Sequence, residues 1–131
     1  MNVVVDASAA VEYLLRTETG ERASLLADAE TIFAPELLDA EVLEILRRLV
    51  SAKVLKKSRA SQAVADLAQW PVQRLSHREL LADAWSLREY VSASDAMYVS
   101  AARKQGAILV TADAHLSQAQ GLGVMLQNLR G

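Results

Sequence analysis

The stretch V-V-V-D-A-S-A, residues 3–9, decides the fold class that the sequence predicts. A strand is predicted at residues 2–5, because three consecutive valines are typical of a buried strand. An alanine- and leucine-rich helix is predicted at residues 9–16. Strands that run directly into helices are the units from which parallel sheets are built. We therefore expect Asp6, at the junction, to lie at the carboxyl end of a parallel strand.

The same alternation of short strands and helices recurs along the chain. Four more strands are predicted, the last of them an edge strand, at residues 31–34, 72–75, 107–110 and 124–126. Six more helices are predicted at residues 21–29, 35–50, 58–69, 77–90, 95–105 and 113–118. This order indicates an α/β protein, and we predict a three-layer α/β/α fold with a short, mainly parallel central sheet. No repeat or linker divides the 131 residues, so we expect a single domain, 1–131.

The composition excludes several classes of protein. A content of 52% hydrophobic and 23% charged residues is typical of a globular chain. The chain has no run of the roughly 20 apolar residues that a membrane span requires and no secretory signal, which predicts a cytoplasmic protein without membrane contact. The absence of cysteine excludes disulfides, thiolate zinc sites and cysteine nucleophiles.

The charge is unevenly distributed. A net charge of −2 provides no overall attraction for phosphate groups. The stretch 45–65, however, has no acidic residue and contains the basic residues Arg47, Arg48, Lys53, Lys56, Lys57 and Arg59. Two interpretations remain open for this stretch, a local surface for nucleic acid or a solvated helical hairpin.

Two aspartates follow predicted strands. Asp6 comes directly after the strand at 2–5, and Asp113 comes shortly after the strand at 107–110. Ligands of open parallel sheets bind beyond the carboxyl ends of the strands, so both residues are candidates for a functional site. Either aspartate could instead only cap the helix that follows it.

Two further acids lie on the inward faces of predicted helices. Glu41 falls at the edge of the apolar face of the helix at 35–50, although a glutamate there can also extend outward to solvent. Asp95 precedes Tyr98 by three residues and Ala102 by seven, so it shares their inward face. An ionised carboxylate on such a face is costly unless it meets a cation.

The four carboxylates together predict a divalent metal site. Without basic partners they would repel one another and raise their own pKa values, and a divalent cation removes this conflict. Ligand sets made only of oxygen favour Mg²⁺ or Mn²⁺ over zinc, and Mg²⁺ keeps water molecules that can attack a phosphodiester. We predict that Asp6 and Asp95 are direct metal ligands. Asp113 would hold a second metal or its water, and Glu41 would bind metal or accept the water's proton.

Four other polar residues complete the sequence-based prediction. Ser8 and Thr111 are supporting candidates that could position waters or carboxylates through their hydroxyl groups, although for Ser8 we expect helix capping instead. His77 and His115 lack any partner pattern for a base or a ligand, and we predict that both are surface or capping residues.

Four segments that carry the acids resemble the PIN-domain nucleases, specifically the VapC-type toxins of type II toxin–antitoxin pairs. They occur in the order of that family: V-V-V-D-A-S-A at 3–9, P-E-L-L-D-A-E at 35–41, S-D-A-M-Y-V-S-A-A at 94–102 and L-V-T-A-D-A-H-L at 109–116. The family's acidic positions correspond to Asp6, Glu41, Asp95 and Asp113. Many relatives carry asparagine where this chain has Glu44, and an aromatic residue where it has Ser94.

The resemblance implies a function and a set of partners. It implies a PIN fold and a Mg²⁺- or Mn²⁺-dependent endoribonuclease acting on structured RNA, either transfer or ribosomal RNA. It also implies inhibition by a cognate antitoxin, a homodimer, and contact with DNA only through the antitoxin.

Two alternatives remain open. A phosphotransfer domain of the dehalogenase or receiver type also carries an aspartate after its first strand, although dehalogenases need a second aspartate where this chain has Ser8. A non-catalytic PIN-like binding module would keep the fold without the chemistry, but such a module has no reason to keep four inward-facing acids together.

Overall fold

A computed structural model describes residues 1–119 and 121–131. Five strands form one sheet in the order β3-β2-β1-β4-β5, and every neighbouring pair is parallel. The strands are β1 (Asn2–Val5), β2 (Thr31–Pro35), β3 (Val72–Leu75), β4 (Ile108–Thr111) and β5 (Met125–Asn128). The predicted α/β class with a parallel central sheet is therefore confirmed.

Helices cover both faces of this sheet. They are α1 (Ala7–Leu14), α2 (Glu18–Glu21), α3 (Ser24–Asp28), α4 (Leu37–Ser51), α5 (Lys57–Gln69), α6 (Leu81–Ser86) and α7 (Ala93–Gln105). Helices α1, α4 and α5 pack together, whereas α6 packs on α7, which contacts β1, β2 and β4. Parallel crossovers are almost always right-handed, and the strand order reverses direction between β3 and β4, so these two groups lie on opposite faces of the sheet. The predicted three-layer α/β/α arrangement is confirmed.

Three predicted helices take a different form. The helix expected at 21–29 is two short helices, α2 and α3. Gly20 lies so close to α1 that a Cβ there would stand 2.1 Å from the carbonyl oxygen of Glu12, and this close approach fixes the path of the chain just before the break. The helix expected at 113–118 is a 3₁₀ helix, Ala114–Ala119.

The helix expected at 77–90 is also shorter than predicted. A 3₁₀ turn at His77–Glu79 precedes α6, and turns follow it. Only Leu80, Ala84 and Leu87 are buried in this stretch, at spacings of four and three. Such a narrow apolar stripe anchors about two helical turns, and this accounts for the early end of α6.

The central strands form the core of the sheet. Val3, Val4 and Val5 of β1 and Leu109 and Val110 of β4 are all fully buried, as expected for strands with helices on both sides. Within the described residues, no helix is both long and apolar enough to cross a membrane.

The order of the strands brings two predicted site residues together. The chain proceeds from β1 to β2 on one side, and β4 later returns to the other side of β1. Ligands of open α/β sheets bind at such a reversal of strand order. Because β1 and β4 are neighbours and parallel, Asp6 and Asp113 follow adjacent strand ends at one edge of the sheet.

The turn after α4 allows a test of the local backbone. Lys53 adopts a positive φ of 60°, its amide donates to the carbonyl of Val50, and the amide of Val54 donates to the carbonyl of Leu49. Glycine is the usual residue at this position of a helix end. Glycine at position 53 would relieve the strain of the left-handed backbone, about 1–2 kcal/mol. This gain exceeds the entropic cost of introducing glycine, about 0.5–1 kcal/mol. We expect Lys53→Gly to raise the free energy of unfolding by about 0.5–1 kcal/mol in urea titrations.

A matched variant provides the control. Ala65 is exposed within α5, so Ala65→Gly should lower the free energy of unfolding by about 0.5–1 kcal/mol. Equal losses in both variants would contradict the described backbone at Lys53.

Candidate active site

Asp6 lies at the base of the site and is the N-cap of α1. Its Oδ1 accepts hydrogen bonds from the amide of Ala9 (2.9 Å) and the hydroxyl of Ser8 (2.7 Å), and its Oδ2 accepts one from the hydroxyl of Thr111. The residue is only 4% exposed. Burial raises the pKa of Asp6 to about 6, and the neighbouring charge of Asp113 acts in the same direction.

Ser8 and Thr111 connect the ends of β1 and β4. The amide of Ala112 donates to Ser8 Oγ (2.9 Å), and the amide of Asp113 donates to Thr111 Oγ1 (2.9 Å). Each hydroxyl also donates a hydrogen bond to the Asp6 carboxylate, so these two uncharged side chains orient it. The expectation that Ser8 caps a helix is wrong, since Asp6 is the cap and Ser8 lies in the first turn of α1.

Asp95 and Asp113 are half-buried neighbours of Asp6. Burial raises the pKa of Asp95, and the charge of Asp113 adds to this effect, whereas Ser92 and the exposed His115 lower it. Asp113 therefore acts electrostatically on both other aspartates. Like charges act on one another mainly at short range, so Asp113 lies close enough to influence both of these carboxyl groups.

Glu41 is held by Tyr98, a residue that the sequence analysis did not assign to the site. The hydroxyl of Tyr98 donates to Oε1 of Glu41 over 2.7 Å and joins α7 to α4. Burial, together with Glu41, raises the pKa of Tyr98 above its ordinary value, so the phenol keeps its proton and remains a donor. The available signal was its position three residues after Asp95 on the same helical face.

His77 positions the start of α4, the helix that carries Glu41. The amide of Leu37, the first residue of α4, donates to Nε2 of His77 over 2.9 Å. The histidine thus satisfies one of the free amides at this helix end, which corresponds to one of the two roles predicted for it, surface or capping.

All four predicted acids line one cleft of about 250 Å³. It is lined by five carboxylates and one cation, with small or apolar residues between them: Asp6, Glu41, Glu44, Asp95, Asp113, Arg48, Ala7, Ser8, Ile45 and Tyr98. Within the described chain, none of the four predicted acids forms a salt bridge with lysine or arginine. The structure therefore brings together four carboxylates that have no lysine or arginine salt-bridge partner among the described residues.

Glu44, the fifth carboxylate, is in a different electrostatic position. Its Oε1 accepts from Arg47 Nε (2.6 Å), and its Oε2 accepts from Arg47 Nη2 (2.8 Å) and Arg48 Nε (3.2 Å). The hydrogen bonds from Arg47, followed by the charges of both guanidinium groups, lower the pKa of Glu44 to about 2. Its charge is thus balanced by two arginines of the same helix, and it is not part of the unpaired set.

The donor set constrains how a metal could bind. Across residues 1–119 and 121–131, no group of three or more acidic or histidine side chains is arranged to hold an ion directly. Mg²⁺ commonly binds proteins through one or two carboxylates and keeps several waters. The carboxylate oxygens of the cleft therefore fit a partly hydrated Mg²⁺ or Mn²⁺. One or two carboxylates would bind the ion directly, and the remaining acids would reach it through water.

Comparison with known proteins defines the class of this fold and cleft. The sequence profile of the PIN domain matches residues 3–122. Ribonuclease VapC3 of Mycobacterium tuberculosis is 42% identical over 120 residues, which cover 89% of this chain and 86% of the relative. Ribonuclease VapC12 of the same organism is 32% identical, covering 91% and 92% of the two chains. The chain belongs to the PIN-domain family, within its group of VapC ribonucleases.

Solved structures support the same fold. VapBC2 of Rickettsia felis, described as bound to a DNA fragment from its promoter, matches with a TM-score of 0.68 and 16% identity over 98% of each chain. VapC20 of M. tuberculosis, described as a sarcin-ricin loop cleaving toxin, matches with a TM-score of 0.66 and 20% identity, over 89% of this chain and 94% of its own. The family match decides against the phosphotransfer alternative.

The buried position of Asp6 predicts how stability changes with pH. Because the folded state raises its pKa from 3.8 to about 6, the contribution of Asp6 is fully favourable below pH 4 and is lost as pH rises through 6. This shift corresponds to about 3 kcal/mol. Asparagine is also a good N-cap. We expect Asp6→Asn to raise the stability of the metal-free protein at pH 7.5 by about 2–3 kcal/mol in chemical denaturation with chelator present.

Asp39→Asn is the control for removing one negative charge. Asp39 pairs with Arg74 through three hydrogen bonds of 2.7, 2.9 and 3.2 Å, so its substitution should destabilise the protein slightly. If the Asp6→Asn variant were less stable than the parent at both pH 5 and pH 7.5, the ionised Asp6 carboxylate would not destabilise the folded protein.

Proposed function

We propose that the chain is a Mg²⁺- or Mn²⁺-dependent endoribonuclease that acts as the toxin of a toxin–antitoxin pair and cleaves structured RNA. The observation that carries the proposal is the convergence of four carboxylates from four separate segments in one cleft, where none of them forms a salt bridge with a described lysine or arginine. Membership in the VapC group supports the ribonuclease class.

The residues of the cleft have different roles in the proposed reaction. Asp6 and Asp95 are the direct metal ligands of the proposal, with Asp113 holding a second ion or a bound water. When bound, the ion would lower the pKa of a water and stabilise the negative charge that develops on the phosphate. Ser8 and Thr111 fix the orientation of the Asp6 carboxylate.

Glu41 is the proton acceptor of the proposal, with metal binding as its alternative role. Tyr98 occupies its Oε1, while its Oε2 accepts no hydrogen bond from a described residue. In the proposed reaction the oxygen of a water bonds to phosphorus as the bond to the leaving ribose oxygen breaks, and the proton of the water passes to Glu41 Oε2.

Similar proteins also indicate a substrate class. The structural relative VapC20 is described as cleaving the sarcin-ricin loop. We extend this description to the class of substrate only, a folded transfer or ribosomal RNA.

An antitoxin is the proposed partner. An apolar groove of about 480 Å³ adjoins the acidic cleft and shares Ser8 and Ile45 with it, and its wall includes Val54, which is 73% exposed. An antitoxin segment lying in this groove would cover the cleft and stop RNA from entering it. DNA binding would belong to the antitoxin, and the toxin would assemble as a homodimer.

A non-catalytic PIN-like binding module is the second candidate. One observation favours it, the absence among the described residues of three side chains arranged to hold an ion directly. This candidate differs from the first in predicting neither RNA cleavage nor any response to divalent ions.

Cleavage of total RNA by the purified chain tests the activity. We expect cuts with Mg²⁺ or Mn²⁺ and none with chelator. Glu41→Gln should lower the rate by about 10²–10⁴-fold, since it removes the proposed proton acceptor. Asp95→Asn should also abolish cleavage, whereas Asp66→Asn, on α5 and outside the cleft lining, should retain it.

Thermal unfolding provides a readout that is independent of activity. If the dissociation constant is about 1 mM, 10 mM Mg²⁺ stabilises the protein by about 1.4 kcal/mol, and Asp95→Asn should remove this gain. A parent chain that neither cleaves RNA nor responds to Mg²⁺ or Mn²⁺ would establish the binding module instead.

Co-expression tests the proposed partner. We expect the product of a short reading frame beside the gene of this chain to co-purify with it and to suppress RNA cleavage. If the chain purifies in active form without the product of that reading frame, and if adding the product leaves its activity unchanged, the chain is a stand-alone nuclease.

A further inference from the structure

A single arginine lines the acidic cleft among the residues that the structure describes. Arg48 lies on α4 and is exposed over 73% of its side chain, whereas Asp6 at the base is 4% exposed. Arg48 therefore lies at the mouth of the cleft. Every other charged residue in the lining is an acid.

Arg48 and its neighbour Arg47 bind Glu44 in different ways. Arg47 uses two nitrogens, Nε and Nη2, so one edge of its guanidinium is occupied. Arg48 donates only from Nε, and its two terminal nitrogens donate no hydrogen bond to any described residue. Arg47 is also absent from the cleft lining and borders a groove between α4 and α5.

RNA that enters this cleft must pass five carboxylates, four of which form no salt bridge with a described lysine or arginine. Each phosphate is repelled by them, and a cation at the mouth reduces that repulsion where the chain approaches. A guanidinium with two free terminal nitrogens matches the oxygens of a phosphate group. The Nε bond to Glu44 restricts the guanidinium to fewer orientations and so lowers the entropic cost of binding.

We propose that Arg48 binds an RNA phosphate beside the one that is cleaved, and that Glu44 orients its guanidinium for this contact. The inference rests on the proposed function and adds a specific substrate-binding residue to it. The reacting phosphate belongs at the buried carboxylates, so Arg48, at the mouth, contacts a neighbouring phosphate. Such a contact is the same in the ground state and the transition state and therefore changes KM rather than kcat.

The competing explanation is a surface ion pair without function. Exposed pairs of this spacing on a helix are common and contribute little to stability. On that explanation Arg47 and Arg48 are equivalent, because they are adjacent, carry equal charge and share Glu44. The two residues thus form a matched pair for the test.

The experiment compares Arg48→Gln, Arg48→Lys and Arg47→Gln in cleavage of total RNA and in binding of a fluorescein-labelled RNA hairpin. Binding is measured by anisotropy in the Asp95→Asn background at several salt concentrations, so that the RNA stays intact. For Arg48→Gln we expect KM to rise about tenfold with kcat within about twofold, and the salt slope of binding to fall by about one. Arg48→Lys should keep the salt slope, and Arg47→Gln should stay within about twofold in KM.

The outcomes separate this inference from the proposed function. A parent chain that does not cleave RNA overturns the proposed function and the inference with it. If the parent chain cleaves RNA but Arg48→Gln and Arg47→Gln have the same KM and the same salt slope, only the inference about Arg48 is overturned. Equal melting temperatures of the variants exclude loss of folding as the cause.

Discussion

The parallel pairing of β1 with β4 is the constraint on which the site depends. The register places Val5 beside Val110, and the amide of Asp6 donates to the carbonyl of Val110 over 3.1 Å. Both strands are buried on both faces, so a shift of the register would expose apolar surface or unpair main-chain groups. The packing of the core thereby fixes the distance between Asp6 and Thr111. Side-chain interactions within the site are not needed to hold these two residues together.

The carboxylates of the cleft are held by neutral donors, and this distinguishes them from other acids of the protein. Asp6 receives three hydrogen bonds from one amide and two hydroxyls, and Glu41 receives one from a phenol. Asp39 and Glu44, in contrast, are bound by arginines. Hydroxyl and amide dipoles orient a carboxylate without cancelling its charge, whereas a guanidinium does both. The negative potential of the cleft therefore remains available to a divalent cation. Burial of these carboxylates, with a smaller contribution from the charge of Asp113, raises the pKa values of Asp6 and Asp95.

The sequence predicted those features that local patterns determine. Strand ranges such as 2–5 and 72–75 agree with β1 and β3, because short apolar runs between turn residues leave one plausible conformation. The convergence of the four acids was predictable as well, since the ends of parallel strands and the inward faces of helices have fixed directions. The bond between Tyr98 and Glu41 was not predictable, because it depends on how α4 and α7 are rotated against each other. The unequal roles of Arg47 and Arg48 depend on the rotamer of Glu44, which no sequence pattern specifies.

Helix α4 connects the two levels of the cleft. Glu41, Glu44, Ile45 and Arg48 recur at spacings of three and four, so one helical face carries the inner acid and the outer cation. His77 binds the first amide of this helix, and Arg74 binds Asp39 in its first turn. Both anchoring residues come from β3 or the turn directly after it, so the edge of the sheet fixes the start of α4. Because one rigid helix carries both groups, a displacement of its start would move Glu41 and Arg48 together. Under the proposed function, this would couple substrate entry and chemistry through the backbone, although separate side chains perform them.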